Sequence, residues 1–168
     1  MNRLIQTFNS LKERGRINFP VKVWLDLEET VIDEWGNYAL LFHSCELIAE
    51  FLNEFGVNDI GIWSFAIYND ADIEKFKVEL MPRLETILNV SVSDIISVRQ
   101  MIKQIGDFQK LRFQDECDFI SVYGKQKSFI DSCIFSQKWT TCVLIDDVVR
   151  TSYIYDTESD VEIITLRI

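Results

Sequence analysis

The chain has 168 residues, 48% of them hydrophobic and 26% charged, with a formal net charge of −10. This length predicts a single domain over residues 1–168 with a buried core, and the excess of acids argues against an anionic membrane or non-specific nucleic acid as a partner. Residues 1–16 carry basic side chains but no long apolar run, so we expect neither a signal peptide nor a membrane span and predict a cytoplasmic protein.

The N-terminal part of the chain predicts a helix, a strand and a small flap. Apolar residues at helical spacing indicate a short helix within residues 1–16, and the apolar run Val21–Asp26 indicates a buried strand. The turn signal Gly36-Asn37 lies between short apolar stretches. We therefore expect a hairpin or flap over residues 31–42.

The rest of the chain continues the alternation of helices and strands. Further strands are expected at 59–64, 95–99 (where a helix is the alternative), 141–147 and 161–166, and helices at 44–56, 71–88 (interrupted near Pro82) and 127–135. Residues 119–123 suit either a short strand or the approach to a helix. Residues 100–120 are polar and mixed, so they are a candidate insert. The alternation predicts an α/β fold, a three-layer Rossmann-like parallel sheet with helices on both faces.

Polar side chains follow three of the predicted strands. Asp26 and Glu28 end the first strand, Ser64 ends the second, and Asp146 with Asp147 ends a later one. The carboxyl ends of parallel strands share one edge of the sheet, where open α/β folds bind ligands. Neighbouring carboxylates there suit a hard metal ion, or a nucleophile with an acid–base partner.

In this order the motifs resemble those of the haloacid dehalogenase-like (HAD) phosphohydrolase superfamily. The stretch V-W-L-D-L-E-E-T matches the first family motif, hhhDxDx(T/V) with h apolar, except that Glu28 stands for the second Asp. The strand ending at Ser64 matches the second motif, and V-L-I-D-D matches the fourth. For the motif lysine, G-K-Q-K-S-F offers Lys125 or Lys127. The resemblance covers residues 20–168 and implies a HAD-like fold.

The resemblance implies a Mg²⁺-dependent phosphatase that works through an aspartyl-phosphate intermediate. Asp26 would be the nucleophile and Glu28 the general acid and base. Ser64, with Lys125 or Lys127, would contact the phosphoryl group.

The resemblance also implies a metal site and a class of substrate. Mg²⁺ would be held by Asp26, Asp146 and Asp147, with the backbone carbonyl of Glu28 completing the set. The 37 residues between Asp26 and Ser64 leave no room for a large cap. In the family such an open site often accompanies large phosphorylated substrates, including proteins.

The glutamate at position 28 leaves a second hypothesis open. It extends the carboxyl by one methylene, and a shift of about 1 Å in a positioned catalytic group can cost about 100-fold in rate. The alternative is a catalytically weak or inactive HAD-like scaffold that serves as a protein-binding regulatory module, docked on a basic protein partner. A response-regulator-like receiver is a third hypothesis, which the order of the acids and the lysine disfavours.

Overall fold

A six-stranded, mostly parallel sheet forms the centre of this α/β protein. The computed structural model describes residues 2–15, 17–136 and 138–168. In chain order the elements are α1 (Arg3–Arg14), β1 (Lys22–Leu25), α2 (Phe42–Glu54), β2 (Asp59–Trp63), α3 (Asp70–Glu79), α4 (Met81–Leu88), β3 (Ser91–Ile96), α5 (Val98–Gln109), α6 (Glu116–Tyr123), α7 (Lys125–Ser136), β4 (Thr141–Asp146), β5 (Ser152–Asp156) and β6 (Val161–Arg167).

The strand order across the sheet is β3-β2-β1-β4-β6-β5. β1 lies between β2 and β4 and pairs in parallel with both, so that Leu25 stands beside Ile62 and Ile145. β5 pairs antiparallel with β6, which corrects the expectation of a fully parallel sheet. β5 is a short, partly buried edge strand, so its sequence lacks the long apolar run that marks β1 and β4.

Helices cover both faces of the sheet. Successive side chains of a strand point to opposite faces, so Val23 and Leu25 face a core completed by α1 to α4, whereas Trp24 faces a core completed by α5 to α7. All four residues of β1 and all six of β4 are buried, as expected for central strands with helices on both faces. The two layers hold the carboxyl ends of β1, β2 and β4 at one edge.

The predicted N-terminal helix is α1, an amphipathic helix against the sheet. The side chain of Asn2 accepts the N–H of Leu4 at 2.9 Å and caps the helix. Phe8 is buried, and its ring centre lies 5.3 Å from that of Phe51 and 4.6 Å from that of Phe55. Within the described ranges no helix has both the length and the apolar surface that a membrane crossing requires.

The strand predicted at 95–99 is wrong in its second half, because a helix begins there. Ser97 Oγ accepts the N–H of Gln100 at 3.3 Å, and Gln100 Oε1 accepts the N–H of Ser97 at 2.9 Å. This capping box starts α5 at Val98. Residues 100–120, considered as an insert, contain most of α5 and the first part of α6, both within the helical layer over Trp24.

The interruption predicted near Pro82 is confirmed. α3 ends at Glu79 and α4 begins at Met81, with Pro82 in its first turn. Proline lacks an N–H, and the first turn is where a helix has no internal acceptor for one.

Candidate active site

Three aspartates meet at the carboxyl edge of the sheet. One carboxylate oxygen from each of Asp26, Asp146 and Asp147 lies within 4.8 Å of the others. The pairing of Leu25 with Ile145 brings the ends of β1 and β4 side by side. Asp26 is 1% exposed and Asp146 is fully buried. The aspartates that follow β1 and end β4 therefore lie together, as the sequence predicts.

Lys125 bridges two of these aspartates. Its Nζ lies 2.9 Å from Asp26 Oδ2 and 3.0 Å from Asp146 Oδ2. It is the first residue of α7 and follows Gly124, whose φ of 80° is in the left-handed region that favours glycine. Lys127 is exposed, and its Nζ lies 4.6 Å from the centre of the Tyr123 ring instead. Of the two candidate lysines, the structure brings Lys125 to the carboxylates.

Burial and charge act in opposite directions on Asp26. The pKa of Asp26 is raised from 3.8 to about 6, chiefly by burial; the charge of Lys125 lowers it, and the charge of Asp146 raises it. Burial alone would lower the pKa of Lys125, but the charges of Asp26 and Asp146 outweigh it and raise that pKa. At neutral pH Asp26 is thus an ionised carboxylate in a dry site, next to an ammonium group.

Thr30 ties the end of β1 to the end of β4. Its Oγ1 lies 3.4 Å from Asp26 Oδ2 and 3.5 Å from Asp147 Oδ1, and it accepts the N–H of Asp147 at 3.2 Å. The turn that returns Thr30 to this position runs through Glu29, whose φ of 56° is unusual for a residue with a side chain. The site prediction missed Thr30, although it occupies the last position of the first motif.

The carboxylate of Asp146 is oriented by the turn after β4. Its Oδ1 accepts the N–H groups of Val148 at 2.7 Å and Val149 at 3.1 Å, so its Oδ2 faces Lys125. Asp26 Oδ1 is also buried but accepts no hydrogen bond from the described residues. A buried carboxylate oxygen without a donor is costly, and a bound cation would remove that cost.

Ser64 contacts Asp26, whereas Glu28 contacts the predicted flap. Ser64 is buried at the end of β2, its Oγ accepts the N–H of Ala66 at 3.2 Å, and its hydroxyl lowers the pKa of Asp26. The carboxylate of Glu28 lies outside the group of three aspartates, and its Oε1 accepts the N–H of Trp35 in the predicted flap at 2.8 Å. The structure thus brings together five of the predicted site residues: Asp26, Ser64, Lys125, Asp146 and Asp147.

The donor set of the cluster is suited to a hard divalent cation. Its three carboxylates offer only oxygen ligands, which are the donors that such ions prefer. With the ammonium of Lys125, the ionised cluster has a net charge of about −2, which one divalent ion would balance. The cluster could therefore hold a metal ion. No family model, curated protein or solved structure matches the chain, so its function is inferred from this geometry.

Proposed function

We propose that the protein is a Mg²⁺-dependent phosphohydrolase with a Rossmann-like, HAD-like fold and no large cap, acting through phospho-Asp26. The observation that carries the proposal is the ion pair between buried Asp26 and Lys125, set beside the carboxylates of Asp146 and Asp147. An aspartate nucleophile must be ionised, and positive charge next to it must offset the charge of the incoming phosphate.

In the first proposed step, an oxygen of the Asp26 carboxylate attacks phosphorus. The bond from phosphorus to the ester oxygen breaks, and that oxygen keeps the electron pair and takes a proton from Glu28. In the second step, water gives a proton to the Glu28 carboxylate and attacks the phosphorus of phospho-Asp26. Phosphate and free Asp26 result, and Glu28 is protonated again for the next cycle.

The remaining residues hold the phosphoryl group and compensate its charge. The Lys125 ammonium keeps Asp26 ionised and attracts the negative phosphoryl oxygens, and the Ser64 hydroxyl donates a hydrogen bond to one of them. Asp26, Asp146 and Asp147 would hold Mg²⁺, with the backbone carbonyl of Glu28 as a further ligand. When bound there, Mg²⁺ supplies charge neutralisation between the nucleophile and the phosphate.

The test is phosphate release from phenyl phosphate and a broad panel of phosphomonoesters, with Mg²⁺ and with a chelator. We expect Mg²⁺-dependent turnover by the wild-type protein and none by Asp26→Asn. Glu54→Gln, which changes an exposed carboxylate on α2, is the control and should retain the wild-type rate. The proposal is contradicted if wild type turns over none of the tested esters faster than Asp26→Asn does.

A further inference from the structure

An open pocket of about 260 Å³ adjoins the candidate active site on the side of the predicted flap. We call it the flap-side pocket. Its lining combines aromatic rings with carboxylates: Glu28, Trp35, Phe65, Ala66, Tyr68 and Asp72.

Two contacts connect the flap-side pocket to the proposed nucleophile. Lys125 Nζ, which pairs with Asp26, lies 5.6 Å from the centre of the Phe65 ring. Glu28, the proposed proton donor to the leaving group, lines the pocket and is held by the N–H of Trp35. In the proposed reaction, the ester oxygen receives its proton from Glu28, so the ester substituent of a phosphomonoester at Asp26 would lie beside this pocket.

The aromatic rings of the pocket are supported from behind. Trp35 packs edge-on against Tyr38 with ring centres 5.1 Å apart, and Phe65 packs against Phe119 at 6.1 Å. Such packing presents preformed apolar surfaces that a planar ring can cover at little entropic cost. The volume of about 260 Å³ is below the roughly 300–1,000 Å³ of pockets for drug-sized ligands, which favours a substituent with one ring.

The charged residues that line the pocket, Glu28 and Asp72, are acidic, and the nearby ammonium of Lys125 is paired with Asp26 and Asp146. Asp72 Oδ2 accepts the N–H of Tyr68 at 3.0 Å. Burial raises the pKa of Tyr68, and so do the neighbouring Cys117 and, after it, the charges of Glu28 and Glu116. Arg99 is a cation beside this loop, but its Nε pairs with Glu116 Oε1 at 2.6 Å. Because Glu28 is protonated in the first proposed step, the negative charge that would repel an anionic leaving group here is that of Asp72.

We propose that the flap-side pocket selects phosphomonoesters of phenols whose ring bears a neutral or cationic substituent, and that it rejects anionic ones. This inference rests on the proposed phosphohydrolase function, because the phenol is the leaving group of that reaction. A free aryl phosphate and a phosphotyrosine side chain share the required chemistry.

The test uses two esters with the same phenol leaving group and opposite charge. Tyramine phosphate carries an ammonium, and the phosphate of 3-(4-hydroxyphenyl)propionate carries a carboxylate. We expect kcat/KM to favour the cationic ester by about tenfold. Asp72→Asn should reduce that ratio to about threefold, whereas Glu74→Gln, an exposed carboxylate on the same helix, should leave it unchanged. Equal or reversed kcat/KM values would overturn the inference.

Binding is measured separately with the corresponding benzylphosphonates, which the protein cannot hydrolyse. We expect the dissociation constants to show the same charge preference with wild-type protein and Mg²⁺. Trp35→Ala should raise the dissociation constants of both phosphonates by about tenfold, and Trp35→Phe should retain most of the affinity. A lysine-flanked phosphotyrosine peptide with a higher kcat/KM than tyramine phosphate indicates a protein substrate, and a lower one indicates a small molecule.

The two measurements separate this inference from the proposed function. If the phosphonates bind with the expected preference but no ester is hydrolysed, the phosphohydrolase function is wrong and the pocket's selectivity stands. If both esters are hydrolysed equally well, the function stands and the selectivity is wrong. Absence of both binding and hydrolysis contradicts both.

Discussion

Lys125 Nζ lies 2.9 Å from Asp26 Oδ2, and the two side chains are only 15% and 1% exposed. The contact joins the start of α7 to the end of β1, and Asp146 on β4 shares the same ammonium. A buried ion pair contributes little stability by itself, but removal of one partner leaves an uncompensated buried charge. We interpret the pair as part of the proposed chemistry at Asp26.

Replacement of Lys125 tests this interpretation. Lys125→Met removes the charge that keeps Asp26 ionised and compensates the phosphoryl oxygens, so we expect kcat/KM to fall by about 100-fold or more. Lys127→Met is the matched control, because Lys127 is exposed over the Tyr123 ring, and it should change kcat/KM by less than about threefold. Steady-state kinetics with phenyl phosphate measures both. Equal losses in the two variants would contradict the role of Lys125.

The pKa of Asp26 predicts how the stability of the metal-free protein depends on pH. This pKa is raised from 3.8 to about 6, chiefly by burial, so the folded protein binds a proton more tightly than the unfolded chain does. The stability that this proton contributes is complete below pH 3.8 and is lost as the pH rises through 6. In chelator, the free energy of unfolding of wild type, taken relative to that of Asp26→Asn, should therefore fall by up to about 3 kcal/mol from pH 4 to pH 7. Urea unfolding of both proteins across this range measures the difference. A difference that does not change with pH would show that Asp26 titrates normally.

Binding of Mg²⁺ should stabilise the folded protein through the three aspartates. A ligand at about 100 times its dissociation constant contributes about 2.7 kcal/mol of stability. We expect Mg²⁺ to raise the Tm of wild type, and Asp146→Asn to lose most of this shift because it removes one of the buried carboxylates. Glu54→Gln is the control for loss of a carboxylate elsewhere. An undiminished shift in Asp146→Asn would place the cation at another site.

Glu28 is tested by a change that preserves its contact with the flap. In Glu28→Gln the amide oxygen can still accept the N–H of Trp35, but the side chain can no longer transfer a proton. We expect kcat/KM, which reports the steps up to departure of the leaving group, to fall by about 100-fold for phenyl phosphate, and by less for an ester whose leaving group needs no proton. If the loss is the same for both esters, or if there is no loss, Glu28 is not the proton donor.

The convergence of Asp26 and Asp146 could be predicted from the sequence because it needs only local patterns. Each follows an apolar run long enough for a buried strand, and parallel strands in one sheet bring such ends to a common edge. The pairing of Leu25 with Ile145 then sets the two carboxylates side by side.

Other parts of the site depend on local geometry that the sequence pattern does not specify. Thr30 reaches Asp26 and Asp147 through a turn in which Glu29 takes a left-handed conformation, which a pattern search assigns to glycine first. The choice of Lys125 over Lys127 depends on the residue at which α7 begins.

Phospho-Asp26 is tested most directly by mass spectrometry of the protein quenched in acid during turnover of an aryl phosphate with Mg²⁺. The proposal predicts one added phosphoryl group on the peptide that contains Asp26, and none in Asp26→Asn. Rapid turnover by the wild-type protein with no phosphorylated form of that peptide at any quench time, or equal turnover by Asp26→Asn, would contradict it.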